Sequence, residues 1–493
     1  MDLHIAVQGR HDLAGQIYRQ LRAAIVEGRL AGGTQLPSTR DLALQLGVSR
    51  KTTLDVFERL LAEGFLYTRA GAGTFVAQGL QRLPAEPSAH ARALKASTGA
   101  KAALYAQPLW DPASGNPSVG VLVPPQPSRS VQYDFIGGVT DMKHFPFDVW
   151  RRCMNHAMRA QARGAGAYRE AAGEQELRLA VARYLAFNRA VASNWEDVIV
   201  TQGAQQALDL LARVTLRPGD VAAVEDPGYP PARAVFAAAG ARVVPVPVDA
   251  QGLVVEQLPK DARLVYVTPS HQFPLGMPMS LARRHDLLAW ASESLAWILE
   301  DDYDCIFRYD ADPLPCLHAL DPDGRVIYAG SFSKTLFPAL RLGFLIVPSD
   351  LVDGFVRARM ASDVHPPQLD QMILSEFITQ GHYQRHIRRM QIEYAERLHT
   401  LKTSIERTGA ALNLRPVHSG LHAVADLEGV DAERVFAQAL VRNLEVVPLS
   451  AYHYGSGQAR NGLLLGFGAC RPAAIRAGMW QLAAAIDSAR RSH

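Results

Sequence analysis

The residues best suited to chemistry lie in one short stretch, Ser331 to Gly343, where Lys334 stands between Ser333 and Thr335 and Arg341 follows seven residues on. An apolar run, Val326 to Ala329, precedes it and predicts a buried strand. A lysine amine that condenses with an aldehyde must be held close and kept at least partly neutral. Hydroxyl donors and a fixed guanidinium fork suit a phosphate. One loop can therefore hold both ends of a phosphorylated aldehyde.

Other polar groups fall after other predicted strands. Thr201-Gln202-Gly203-Ala204 follows Val198–Val200 and opens a helix, where free N–H groups and the positive end of the dipole suit a phosphate. Glu225-Asp226-Pro227-Gly228-Tyr229 follows Val221–Val224 and sets an aromatic ring on a stiff turn. Glu300-Asp301-Asp302-Tyr303 follows Trp297–Leu299, and a carboxylate there can keep a pyridine nitrogen protonated. Together with Lys334 these groups fit pyridoxal 5'-phosphate.

The elements that must position them begin near Tyr133. Apolar runs at 198–200, 221–224, 243–244, 264–267, 297–299 and 326–328 alternate with helical patterns. That predicts a mostly parallel sheet covered on both faces, with ligands outside the carboxyl ends of its strands.

The first 77 residues read differently. Leu13, Ile17, Leu21, Ala24 and Ile25 recur at helical spacing, and Gly28 ends that helix. Ser38 caps a second short helix with Leu42, Ala43 and Leu46 inside, and Gly47 makes the turn. Ser49 caps a third helix, expected to bury Leu54, Phe57, Leu60 and Leu61 and to expose Arg50-Lys51-Thr52-Thr53. This order puts side chains into a major groove. Two strands, Phe65–Thr68 and Thr74–Val76, flank Arg69–Gly73 and predict a wing. From Gln78 to Gln132, eight prolines in an Ala/Ser/Gly background predict a tether, with a short helix near Ala91–Ala103.

Composition sets the outer bounds. At 493 residues the chain exceeds one ordinary domain. Net charge is +3, and residues 1–77 hold nine Lys/Arg against seven Asp/Glu, a difference of +2, so nucleic-acid binding must rest on the motif. The cysteines, Cys153, Cys305, Cys316 and Cys470, have no metal-ligand spacing, and no metal is expected. A reduced cytoplasm fits them, and no apolar run is long enough for a bilayer.

The head, through "LPSTRDLALQLGVSRKTT", "LLAEGFL" and "GAGTFV", resembles the GntR winged helix. The resemblance implies that Ser38, Arg40, Arg50, Thr52 and Gly71 lie at or near DNA. From Tyr133 onward, "TQGAQQALDLL", "EDPGYP", "TPSHQFPLGMPMSLARR", "LEDDYDCIFRY" and "GSFSKTLFPALRLGF" resemble the fold-type I aminotransferases. That implies an internal aldimine at Lys334, Asp301 on the pyridine nitrogen and Tyr303 on the ring hydroxyl. It implies phosphate contacts from Gly203, Ala204, Ser331, Ser333 and Arg341, and a stacking Tyr229. Tyr168 would reach the neighbour's phosphate across a dimer interface. Asp301 lies two before Tyr303, where many relatives place the acid three before, so Asp302 stays open.

Head and body in one chain resemble the MocR subfamily. The fold class implied is multidomain: a winged helix-turn-helix over 1–77, a tether over 78–132 and an α/β fold-type I aminotransferase-like domain over 133–493 with a smaller C-terminal α+β part. The implied partners are double-stranded DNA with two half-sites, a small-molecule effector and a second copy in a head-to-tail, domain-swapped homodimer. Two departures matter. Phe273-Pro274-Leu275-Gly276 replaces the usual Asn-Pro, passing the ring-hydroxyl contact to Ser270, His271 or Gln272. Leu463-Leu464-Leu465 lacks the late arginine that takes a substrate carboxylate, and Arg460, Arg442 and Arg471 do not fit its place. These favour a pyridoxal phosphate-dependent transcriptional regulator. The alternatives are an active aminotransferase carrying an accessory winged helix, and a DNA-binding protein on a cofactor-free scaffold.

Overall fold

The computed structural model describes residues 5, 7, 9, 12–69, 71–78, 131–164, 166–309, 315–454 and 460–491. The chain forms two compact units, Met1–Asp111 and Pro112–His493. The expected tether and its short helix lie almost wholly outside the described residues.

In the first unit, α1 (Leu13–Val26), α2 (Thr39–Leu46) and α3 (Arg50–Ala62) precede β1 (Leu66–Arg69) and β2 (Gly73–Val76). Ser38 and Ser49 cap α2 and α3 by accepting from the backbone N–H groups of Asp41 and Thr52. Each satisfies a donor the helix itself cannot reach. Gly47 turns between them with φ +63°. β1 and β2 pair antiparallel, Leu66 opposite Val76 and Arg69 opposite Gly73, and the Arg69 guanidinium lies over the Tyr67 and Phe75 rings. Ile17, Leu21, Leu42, Phe57, Leu60 and Val76 form the core.

Two expectations for α3 are corrected. Thr53 does not face solvent: it is fully buried, and its hydroxyl donates to the carbonyls of Thr39 (2.7 Å) and Arg50 (3.0 Å). Leu54 is not a core residue but 44% exposed. The stripe runs through Thr53, Val56, Phe57 and Leu60, one position from the expected phase, because a hydroxyl bonded to backbone can occupy a core site that pattern reading reserves for apolar residues.

The second unit opens with β3 (Tyr133–Asp134), followed by α4 (Phe147–Ala162) and α5 (Gln175–Arg189). Its main sheet is built from β4 (Val198–Thr201), β5 (Val221–Asp226), β6 (Arg242–Asp249), β7 (Gly252–Leu253), β8 (Ala262–Val267), β9 (Trp297–Asp302), β10 (Val326–Ser331) and β11 (Gly343–Ile346). The order is β4-β11-β10-β9-β8-β5-β6-β7. β6-β5-β8-β9-β10 run parallel; β11 is antiparallel to both β10 and β4. The sequence pattern does not foretell β11, because its residues sit at the end of the lysine stretch and read as loop.

Side chains alternate across this sheet into separate apolar layers, Val198 and Val200 on one side and Ile199 on the other. The smaller C-terminal part carries a four-stranded antiparallel sheet of β12 (Leu412–Leu414), β13 (His422–Leu427), β15 (Val447–Pro448) and β16 (Gly462–Gly466), while β14 (Leu444–Glu445) pairs with β3. All four cysteines are buried and free. Among the described residues no helix is long and apolar enough to cross a membrane.

Leu60 is fully buried at the centre of the head. Leu60→Ala should cost about 2–5 kcal/mol, measured by thermal unfolding of an excised head, while the surface change Leu44→Ala should leave that transition in place.

Candidate functional site

The carboxyl ends of β4, β5, β8, β9 and β10 converge with the loop after β10. Lys334 hangs from that loop and its amine donates to the Gly138 carbonyl at 2.7 Å. Gly138 has φ +87°, and a Cβ there would lie 2.7 Å from the Lys334 amine, so this position requires glycine. Burial pushes the Lys334 ammonium below its usual range, against the pull of Asp304 and Asp301, and Arg341 pushes the same way as burial. That is the state a nucleophilic lysine needs.

β9 presents Glu300, Asp301 and Asp302 in succession, so its alternation decides what each carboxylate does. Glu300 accepts from the backbone N–H groups of Leu317 and His318, both at 2.9 Å. Asp302 accepts from Arg189 at 2.8 Å and from the Tyr328 hydroxyl at 2.5 Å. Asp301 points the other way and accepts from the Tyr266 hydroxyl at 2.8 Å, while its Oδ1 has no protein partner among the described residues. Burial raises the Asp301 carboxyl to about 7; the Tyr266 bond opposes this, and Asp302 and Asp304 add to it. Asp302 Oδ1 likewise has no N–H or O–H partner among the described residues, so the two differ by the face of the strand: Asp301, and not Asp302, is among the charges that act on Lys334.

Tyr303, just beyond β9, stacks on His271, the rings 23° from parallel. His271 Nδ1 lies 2.7 Å from Asp304 and 3.1 Å from the Tyr303 hydroxyl. The shorter contact assigns the Nδ1 proton to the bond with Asp304. Tyr303 then keeps its own proton for another acceptor. Of the three residues left open by the missing Asn-Pro, Ser270 accepts from Arg189 at 2.8 Å and Gln272 holds the Pro227 carbonyl. His271 is the one against Tyr303. His422 lies behind it, its ring 4.8 Å away and its Nε2 bonded to the Pro274 carbonyl.

Gly203 has φ +81° and starts α6 (Ala204–Thr215). The Arg341 guanidinium lies over Gly203 and donates to the Gln202 carbonyl at 2.8 Å. Ser331 accepts from the Ser333 N–H at 3.1 Å. Gly203, Ala204, Ser331, Ser333 and Arg341 thus come to one end of the site. Tyr229 stands between Tyr266 (rings 6.4 Å apart, 25° from parallel) and the edge of Phe273. Tyr168 is 83% exposed with its ring against the edge of His365, and among the described residues it has no bond to this cluster. Gly138, Tyr266 and Asp304 are the members sequence reading missed; His271 was one of the three residues it left open. The signal for Gly138 was the Gly-Gly before Val139.

In the head, Ser38, Arg40 and Arg50 are exposed at the starts of α2 and α3, with Thr52 half-exposed beside them. Gly71 is exposed at the wing tip with φ +73°. None of the five belongs to the apolar core around Ile17, Leu21 and Leu60.

Comparison with known proteins agrees with both halves. Residues 137–462 match the family described as aminotransferase class I and II, and residues 13–76 match the bacterial regulatory proteins of the gntR family. The chain is similar to the probable rhizopine catabolism regulatory protein MocR of Rhizobium meliloti, 37% identical over 96% of this chain and 93% of that one. It is similar to the pyridoxine biosynthesis transcriptional regulator PdxR of Corynebacterium glutamicum, 31% identical over 99% and 98%. Among solved structures it resembles the α-aminoadipate aminotransferase LysN of Thermus thermophilus, complexed with N-(5'-phosphopyridoxyl)-L-leucine. That match has a TM-score of 0.68 and 27% identity over 77% of this chain and 99% of that one.

The raised Asp301 carboxyl has a consequence for stability. With about 7 in the folded chain and about 3.9 unfolded, the folded state holds the extra proton between these values. Stability therefore falls as pH rises through that window. Asp301→Asn removes the slope. The cofactor-free variant should melt above the cofactor-free parent at pH 8, by a few kcal/mol at about 1.4 kcal/mol per pKa unit, and the gap should close by about pH 4.

Proposed function

This chain belongs to the MocR subfamily of gntR-type transcriptional regulators, and on that premise we propose that its body binds pyridoxal 5'-phosphate and reports a small effector to the DNA-bound head. The observation that carries the reading is Asp301, buried beside Lys334 with one oxygen lacking a protein partner. A pyridinium N–H satisfies such an oxygen and removes the cost of burying it.

The residues fit that cofactor by role. Lys334 supplies the amine that joins its aldehyde. Asp301 faces the ring nitrogen, and Tyr303, relieved of its bond by His271 and Asp304, donates to the ring hydroxyl. Tyr229 covers the ring face. Gly203, Ala204, Ser331, Ser333 and Arg341 take the phosphate, the α6 N-terminus adding its free N–H groups. Tyr168, exposed in one chain, reaches the phosphate of a second copy. The cofactor, when bound, supplies an electron-withdrawing ring and a carbon that exchanges one amine for another. The effector would be an amino compound held in reach of Lys334, or the cofactor itself.

We divide the chain at 77 and 132 into head, tether and body, working in the cytoplasm on DNA. The protein acts as a head-to-tail homodimer and reads two half-sites. An active aminotransferase with an accessory head is the second reading, supported by the likeness to LysN. Against it, Leu463, Leu464 and Leu465 are fully buried in β16, leaving no cation where relatives place their late arginine.

Three variants test this. Lys334→Ala should lose the visible band and any borohydride-fixed adduct while keeping the fold. Asp301→Asn should weaken cofactor binding with little loss of stability. Asp302→Asn should do the reverse, costing up to about 3–5 kcal/mol because it leaves Arg189 without its charge partner. Cofactor titration and thermal melts on both variants separate the two roles. Arg50→Ala should weaken operator binding by ~1–3 kcal/mol with the visible spectrum unchanged. A footprint identical to the parent would contradict the assignment of α3 to the groove.

A further inference from the structure

Two helical stretches of the body contain no acid at all. From Val149 to Arg163 the charged residues are Arg151, Arg152, Arg159 and Arg163, and from His382 to Ile392 they are Arg385, Arg388 and Arg389, apart from histidines. The first stretch is most of α4 with its C-cap, and the second opens the helix His382–Thr408. All of these arginines are exposed. Positions 152, 156, 159 and 163 share one face of α4, and 385, 388 and 389 share one face of the other helix. The two faces come within electrostatic reach at His382, whose charged form is disfavoured by burial and then by Arg385 and Arg152.

The neighbouring acids are taken. Asp148 accepts from Arg151 at 3.1 Å, and Glu376 lies 2.6 Å from His156 and accepts from Gln380 at 2.7 Å. Among the described residues Arg152, Arg159, Arg163, Arg385, Arg388 and Arg389 make no ion pair. Arg385 bonds to the Gln380 carbonyl at 3.1 Å and to His382 Nδ1 at 2.6 Å, which leaves its charge uncancelled. Arg159 and Arg163 suit the C-terminal end of α4, where a helix favours cations. Arg385 stands in the first turn of its helix, where cations are disfavoured, and Arg388 and Arg389 repel it from three and four residues on. The folded chain gains nothing from that crowding.

We propose that this band is a second DNA contact, one that holds the phosphate backbone of duplex outside the half-sites read by the head. Guanidinium forks match phosphate oxygens. The stretch of α4 from 152 to 163 is about 16 Å long, and that length of duplex presents on the order of ten phosphate charges. The head alone is poorly equipped to neutralise them, with nine Lys/Arg against seven Asp/Glu over residues 1–77. It also keeps DNA at high local concentration for any other site on the same chain. An acidic protein would need an apolar centre to its interface, and the face formed by Arg152, His156, Arg159 and Arg163 has none. The band makes no base contact, so it adds affinity without sequence preference.

The inference rests on DNA binding by the head and not on the cofactor. The test titrates full-length protein, loaded with pyridoxal phosphate, against a fluorescent duplex of arbitrary sequence. Anisotropy is read from about 50 to 200 mM salt, the range over which phosphate contacts are lost. Glutamine at positions 152, 385, 388 and 389 together should weaken binding about tenfold or more and flatten the slope of log affinity on log salt by about 0.9 for each contact removed. Lysine at the same four positions should restore the slope, because charge and not packing carries it. Arg388→Gln with Arg389→Gln should give about half the change in slope, and decides the matter even if the fourfold variant fails to fold. The variants should keep the cofactor's visible band. Equal affinity and slope in parent and glutamine variants overturns the proposal. So does a lysine variant that behaves like the glutamine one, which would make the arginines structural. Unchanged DNA binding with loss of poly-L-glutamate binding also overturns it, and gives the band to an acidic protein. A parent that does not bind the duplex overturns the band and the assignment of the head together.

Discussion

Three consecutive carboxylates buried at the end of one strand is an expensive arrangement. A carboxylate taken out of water loses more than one good contact returns, unless several groups share its charge. Glu300 and Asp302 meet that condition through two backbone N–H groups, and through Arg189 with Tyr328. Asp301, between them and facing the other way, has among the described residues the Tyr266 hydroxyl alone. The rest of the site follows from that shortfall. Lys334 is set near that carboxylate, and burial lowers its ammonium against the pull of Asp304 and Asp301. A ligand with a positive ring N–H and an aldehyde relieves both.

The fold serves this by bringing distant segments to the same strand ends. Gly138 and Lys334 are 196 residues apart, and Tyr266 and Asp301 are 35 apart. The parallel order β5-β8-β9-β10 lines up their carboxyl ends, and the antiparallel β11 returns the chain so that Arg341 reaches the start of α6. Arg341 itself has φ +52°, a conformation that non-glycine residues hold only when their surroundings require it. Strain at Arg341 and an unmatched oxygen on Asp301 thus fall in the same cluster of strand ends.

Much of this was legible before any coordinates. A lysine between hydroxyls after an apolar strand, a glycine turn opening a helix, and acids at a strand end each carry their own local chemistry. So do Ser38 and Ser49, whose capping needs only neighbours within three residues. What was not legible depends on contacts between remote segments. That Asp302 meets Arg189 while Asp301 meets Tyr266 depends on partners distant in sequence. His271 becomes a partner of Tyr303 only because the loop after β8 folds against the end of β9. Thr53 and Leu54 exchanged places because the Thr39 carbonyl offers Thr53 a buried acceptor, which no periodicity can foresee.

The central claim is that the state of Lys334 and the affinity of the head for DNA are coupled. Linkage makes such coupling reciprocal, and values of about 1–3 kcal/mol are typical. The direct measurement is operator affinity of the full chain with no cofactor, with pyridoxal phosphate, and with the cofactor plus candidate amines, repeated on Lys334→Ala. The account predicts a shift of about 5- to 150-fold between at least two of these conditions in the parent, and one unchanging affinity in the variant. An affinity and footprint identical in every condition for the parent would contradict it, and would leave the head as an accessory to an enzyme.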